Sequence, residues 1–254
     1  MAAPPEGRPA YGWRARIAMI KPSPVTDTNI HEFYLMAPPG VELFLASMNL
    51  GGMRQEEYDK AIANLDGPIK LLAHHDPQAI IQPGVPPIVT RGWGFEDELR
   101  ARVASITPAP FFSDVGAAIA GLKALGSSRI VVLSYSFDDE LMGTIARYMA
   151  NAAIEVVGWD RVRPAWPGDV AAAPLEVIYQ AARALFERHA GQADGLWITH
   201  ASMPSVGVLA ELERDLRVPV LSSAQALMWA GLRAAGVAEP VEGFGRLLTL
   251  PFTR

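Results

Sequence analysis

Arg129-Ile130-Val131-Val132-Leu133-Ser134 is a short, unbroken apolar run with a charged start and a polar end. β-Branched residues dominate it, and it is too brief for an ordinary helix, so it reads as a strand buried on both faces. Upstream, Asp114 to Leu125 carries helical spacing, and Gly126 is placed to end that helix with a left-handed residue. Downstream, about Asp138 to Asn151 is helical again. A helix on each side of a doubly buried strand is the pattern of a parallel sheet.

Reading outward in both directions extends the alternation. Toward the C-terminus come a strand at Ile154–Gly158, a helix at Leu175–His189 and a strand at Gly195–Thr199. A helix at Val206–Leu216, a short strand at Val218–Leu221 and a closing helix at Ala224–Ala234 follow. Toward the N-terminus, Phe95–Ser105 is helical, and Ala79–Gln82 is a strand running into Pro83-Gly84-Val85-Pro86-Pro87, which is expected to be a rigid loop without regular structure. Glu56–Leu72 reads as one long helix that Gly67-Pro68 kinks or splits. Val41–Ala46 reads as a strand buried on both faces, Asn29–Leu35 as helical, and Arg16–Ile20 as a first strand stopped by Lys21-Pro22-Ser23-Pro24.

About four strands fall in each half, without a strict sequence repeat. The expected organisation is an extension over residues 1–12, one α/β half from 13–112 plus 222–254, and a second from 113–221. In open α/β sheets, ligands bind beyond the carboxyl ends of the strands. That directs attention to the loops Pro22–Thr26, Gln82–Val85, Ser134–Asp138 and Thr199–Pro204.

Composition narrows the function. Of 254 residues, 50% are hydrophobic and 19% charged, enough to bury a large core without cross-links. The net charge of -5, with no basic cluster, argues against a nucleic-acid partner. No apolar run reaches the roughly 18 residues of a membrane span. There is no cysteine, so disulfides, thiolate metal sites and thiol nucleophiles are excluded. Without an apolar N-terminal run the chain is expected to be cytoplasmic. A homo-oligomer is compatible with the sequence.

Val218-Pro219-Val220-Leu221-Ser222-Ser223, then Trp229, then Gly243-Phe244-Gly245-Arg246-Leu247-Leu248 resembles the C-terminal part of the arylmalonate decarboxylases. Gly121-Leu122-Lys123-Ala124-Leu125-Gly126 with Arg129-Ile130-Val131, and Glu57-Tyr58-Asp59, are similar to earlier segments of the same group. The likeness runs from about Ile17 to Leu248 and places the chain with the aspartate/glutamate racemase superfamily, on its arylmalonate decarboxylase and maleate isomerase side. It implies two flavodoxin-like halves with parallel sheets, related by a pseudo-twofold axis, with the active site between them and no cofactor.

The racemases of that superfamily carry one cysteine on each face of the substrate carbon. Aligned to them, the first position is Gly84 and the second His200, in Trp197-Ile198-Thr199-His200-Ala201-Ser202. The decarboxylases share the glycine and keep the second cysteine, which histidine replaces here. The maleate isomerases have an asparagine in an N-terminal loop, absent from Pro22-Ser23-Pro24-Val25-Thr26.

Two-thiol racemisation and thiolate addition are therefore closed, leaving one-sided acid/base chemistry on a small carboxylate-bearing substrate. An imidazole, with an ordinary pKa near ~6.5, can donate or accept a proton near neutrality, so His200 is the candidate catalytic group. It needs a hydrogen-bond partner to fix its tautomer, and Thr199 and Ser202 are near in sequence. Amides of Gly84 and Val85, and the hydroxyls of Ser23, Thr26 and Ser202, are candidate substrate-binding groups, with Ala201 beside them. Tyr135 lies next to a substrate-contacting tyrosine of the relatives, although Ser136 or Phe137 can equally be the match. The remaining alternatives are a hydrolase or ring-opening enzyme on an amide, lactone or ring compound with His200 as base, and a non-catalytic carboxylate-binding protein.

Other conspicuous residues have plainer readings. His74-His75-Asp76 ends a helix, where adjacent side chains do not share a face, and no metal site is assigned. Asp138-Asp139-Glu140 suits a helix first turn. Arg246 either supports the fold or reaches the pocket. The glycine-containing loops match no nucleotide-binding pattern.

Overall fold

A computed structural model describes residues 5–23, 28–135, 137–162 and 170–251 of the chain. Its first half runs β1 (Ala15–Lys21), α1 (Thr28–Met36), β2 (Val41–Ser47), α2 (Gln55–Ala63), α3 (Asp66–Ala73), β3 (Ala79–Gln82), α4 (Pro86–Val89), α5 (Phe95–Ala104) and β4 (Phe111–Ser113). The second runs α6 (Asp114–Leu125), β5 (Arg129–Tyr135), α7 (Asp139–Asn151), β6 (Glu155–Val162), α8 (Leu175–Arg188), β7 (Gly195–Ile198), α9 (Leu209–Leu216) and β8 (Val220–Ser222), after which the chain continues into α10 (Ser223–Ala234).

Two parallel four-stranded sheets result, ordered β2-β1-β3-β4 and β6-β5-β7-β8. The second order repeats the first, four strands later. This is the α/β architecture expected of two similar βα halves. β5 is indeed a central strand, buried from Ile130 through Tyr135. Each sheet order places the C-terminal ends of its two central strands, β1 with β3 and β5 with β7, side by side. That is where a parallel sheet leaves an open crevice.

α10 joins the halves. It packs against β1, β3 and β4 of the first sheet and against α6 and α1. Every residue from Ser223 to Leu232 is buried, so this helix is enclosed on all sides. Gly231 permits the approach, since a Cβ there would stand 3.2 Å from Ile81 Cγ2. Arg233 then donates to the carbonyls of Val237, Glu239, Leu248 and Leu250, and Trp229 Nε1 to Leu250 O at 2.9 Å, tying the C-terminal segment to the helix.

Several local expectations need correction. The Glu56–Leu72 stretch is two helices, and the break falls at Asn64-Leu65. Gly67-Pro68 instead occupies the first turn of α3, where a missing N–H leaves no intrahelical bond unmade. Pro86-Pro87 does not lie in an irregular loop but starts the single turn α4, for the same reason. β2 is an edge strand and only partly buried, so its apolar run did not signify two covered faces. The Val206–Leu216 segment opens as a 3-10 turn at Val206–Val208 before α9 begins. β4, only three residues between Pro110 and the helix, has no sequence pattern long enough to read.

The conspicuous residues also find places. Asp138 caps α7 by accepting from Leu141 N–H at 2.8 Å. The His75 ring stacks on Phe44, with centroids 4.4 Å apart. Arg246 is structural: its amide donates to Glu213 Oε2 at 2.8 Å, and its guanidinium faces the same carboxylate.

Candidate active site

The chain crosses from β3 into α4 through Pro83-Gly84-Val85, at the carboxyl edge of the first sheet. Gly84 has φ +105°, a conformation that L side chains rarely adopt, and a Cβ there would lie 2.8 Å from Pro22 Cγ. Backbone geometry and crowding thus both require glycine. The Gln82 side-chain amide donates to the Pro83 carbonyl, which holds the turn.

The Gly84 amide does not point at a prospective ligand. It donates to Asp114 Oδ2 at 2.9 Å. Asp114 is the first residue of α6 and has no solvent exposure. Burial pushes its carboxyl up to about 6, opposed by the Ser223 hydroxyl and the Gly84 amide. The expectation that the Gly84 N–H serves as an anion donor is corrected accordingly, because that donor is already engaged within the protein.

At the matching edge of the second sheet, β7 ends and the chain turns sharply. Thr199 N–H donates to Leu133 O at 2.9 Å, which keeps the end of β7 against β5. His200 follows with φ +86°, an unusual value for a residue with a side chain. Met203 N–H closes the turn onto His200 O at 2.9 Å. The imidazole is flanked by two aromatic rings, with centroids 5.9 Å away for Tyr135 and 5.6 Å for Phe137.

Both turns open onto one cavity of about 270 Å³. Gly84, Val85 and Ser23 line it from the first half, and His200, Ala201 and Ser202 from the second. Thr199 is fully buried and is not part of the lining. Tyr135 is buried against His200, while Phe137, two residues on, reaches the cavity wall. Thr26 and Ser136 lie outside the described residues.

Three features escaped the sequence reading. Lys21, the last residue of β1, is only 2% exposed and lines the cavity. Its side chain adds an amine to a lining that also carries Ser23, Asn29, His200 and Ser202. Asn29 of α1 also lines it and donates from Nδ2 to Ser202 Oγ at 2.8 Å. That bond uses the hydroxyl oxygen as acceptor. The third feature is an apolar wall. Met48 N–H bonds Lys21 O and Leu50 N–H bonds Pro22 O, both at 2.8 Å, so the segment after β2 folds over the end of β1. Leu50, Met53 and Tyr58 then line the cavity, together with Pro86 and Pro87. Burial, with the charge of Asp138, pushes the Tyr58 hydroxyl up to about 12, so it stays a neutral donor.

The sequence held one clue to these, a cation at the end of a buried strand, but Lys21 reads equally as the polar stop of β1. Among the described residues, no three His, Asp or Glu side chains are grouped as metal ligands.

The arrangement therefore offers one imidazole, one buried lysine, several hydroxyls and a glycine turn around a mainly apolar space. It suits a ligand with an anionic end and a hydrocarbon portion, small enough to fill about 270 Å³.

Comparison with known proteins agrees with this architecture. A family model described as arylmalonate decarboxylase matches residues 29–248. The arylmalonate decarboxylase of Bordetella bronchiseptica is 25% identical over 210 residues, covering 82% of this chain and 87% of that protein. A maleate isomerase of Nocardia farcinica is 26% identical over 242 residues, covering 92% and 95%. The crystal structure of the maleate isomerase Iso from Pseudomonas putida superposes with a TM-score of 0.82 at 23% identity, covering 92% of this chain and 98% of that one.

Proposed function

Because the chain belongs to the arylmalonate decarboxylase family, we propose that it is an enzyme that transfers a proton on one face of a small carboxylate-bearing substrate, with His200 as the acid/base and no cofactor. One observation carries this reading: the His200 imidazole and the Gly84 turn face the same cavity, in a chain without any thiol. Glycine has no group to exchange a proton, so both delivery and removal fall to the histidine side.

The nearest concrete reaction is decarboxylation of a malonate carrying an apolar substituent. The bond from the central carbon to one carboxylate breaks, its electron pair passes into the remaining carboxylate as an enediolate, and carbon dioxide leaves. Protonated His200 then gives its proton to the central carbon, restoring a simple carboxylate and a neutral imidazole. Donors fixed in advance stabilise the enediolate most in a site that excludes water. Lys21, Ser23, Ser202 and the Val85 amide would fill that role. The departing carboxylate would lie against Leu50, Met53, Pro86 and Pro87, where little solvates its charge.

The test is turnover of phenylmalonate in D2O, with deuterium followed at the new C–H bond. General acid catalysis supplies typically 10²–10⁴-fold, so His200→Ala should lose roughly that factor. Unchanged turnover in His200→Ala removes the residue from the mechanism. Saturable binding of phenylmalonate without product on long incubation would instead make the chain a carboxylate-binding protein.

A further inference from the structure

Helix α1 belongs to the first half, yet two of its residues grip the loop that carries His200 in the second. Asn29 Nδ2 donates to Ser202 Oγ at 2.8 Å. One turn later, Glu32 Oε1 accepts the Ser205 amide at 2.5 Å and the Val206 amide at 3.0 Å. The Ser205 hydroxyl lies 3.5 Å from Glu32 Oε2. Glu32 is 3% exposed and Ser205 1%, so these bonds are shielded from water. Spacing of i and i+3 puts Asn29 and Glu32 on one face of the helix, and that face meets the loop.

From these contacts we infer that Asn29 and Glu32 are positioning residues that hold the His200 loop in its working conformation. His200 sits at φ +86°, and a residue with a side chain keeps such a value only when its surroundings over-determine it. On the N-terminal side the hold is Thr199 N–H on Leu133 O. On the C-terminal side it is Met203 N–H on His200 O together with the α1 clamp, which satisfies the Ser205 and Val206 amides. Without Glu32 those two amides would be buried donors lacking an acceptor, and the loop would rearrange to pair them. The catalytic consequence of the clamp rests on His200 being the acid/base; the structural consequence does not.

The experiment is NMR of protein labelled at the histidine rings, in wild type, Glu32→Leu, Glu32→Gln and Asn29→Ala, with the His200 signal identified from His200→Ala. Glu32→Leu should shift the His200 ring resonances and its titration, while His74, His75 and His189 stay in place. Glu32→Gln keeps an acceptor oxygen and should restore the wild-type signal. Asn29→Ala loses a single bond and should give a smaller shift in the same direction, which keeps the test available if Glu32→Leu does not fold. A His200 signal identical to wild type in Glu32→Leu, or in Asn29→Ala should the former be unfolded, overturns the inference. Turnover is read separately. If His200→Ala is inactive, Glu32→Leu should lower kcat on the order of 100-fold with little change in KM, as expected for a displaced catalytic group. If His200→Ala is fully active, the acid/base assignment falls while the NMR result still decides the clamp.

Discussion

The amide of Gly84 is bound by the carboxyl of Asp114, a residue 30 positions away that no solvent reaches. The turn lining the cavity is thus set from behind, by the N-terminus of the helix that opens the second half. Asp114→Ala would leave a buried amide without an acceptor, a loss of about 1–3 kcal/mol. The expected outcome is a lower melting temperature together with a weaker affinity for carboxylate ligands, read by calorimetry on one sample. Asp114→Asn keeps an acceptor oxygen and should recover most of both.

Gly84→Ala introduces a side chain at φ +105° and places Cβ against the Pro22 ring. Strain of this kind costs of order 1–3 kcal/mol before any clash is added. Thermal unfolding should therefore shift down by several degrees, and cavity binding should weaken. The same geometry predicts that Gly84→Cys does not install a usable thiol unless Pro22 moves, which a Pro22→Ala, Gly84→Cys double variant would reveal as higher thiol reactivity.

His200→Gly should separate stability from activity. The left-handed conformation that strains histidine suits glycine. Relief of strain is offset by the greater chain entropy of glycine, so the melting temperature should stay level or rise. Activity should fall with the imidazole by roughly 10²–10⁴-fold, as in His200→Ala. A marked drop in melting temperature would show that the ring supports the fold.

Lys21→Met preserves much of the side-chain length and removes the amine from this buried lining residue. Hydrogen bonds to charged groups contribute about 1.5–3 kcal/mol, so carboxylate binding should weaken by roughly 10- to 100-fold. Titration with phenylacetate against wild type and variant measures this directly. Equal affinities would place the bound carboxylate elsewhere.

Stability should respond to pH through two buried carboxyls. Burial pushes Glu32 from 4.5 to about 7 and Asp114 from 3.8 to about 6. Both bind their proton more tightly folded than unfolded. Their contribution is complete below the unfolded values and is lost as pH rises through the folded ones. Between about pH 5 and about pH 8, wild type should lose more stability than Glu32→Gln or Asp114→Asn, because the amides do not titrate. Parallel melting-temperature profiles for the three proteins would refute the assignment.

The sequence by itself determined the class of fold and the chemistry that is closed. Strand-sized apolar runs such as Ile130–Leu133, alternating with helical spacing and stopped by Gly and Pro, encode βα units locally. The lack of cysteine removes thiol chemistry whatever the shape. The helix end at Gly126 is legible because a left-handed cap is a local matter of one residue, and the acidic Asp138-Asp139-Glu140 run marks the start of α7, although its first member caps the helix rather than joining its first turn. Packing alone decided the rest. That Lys21 is enclosed rather than solvated, that Gly84 N–H is taken by Asp114, and that Asn29 and Glu32 reach the His200 loop across 173 residues are facts about which surfaces meet. Sequence patterns record the period and turns of a segment. They carry no record of which distant segment supplies the partner for a buried donor, because only the assembled core brings the two within hydrogen-bonding range.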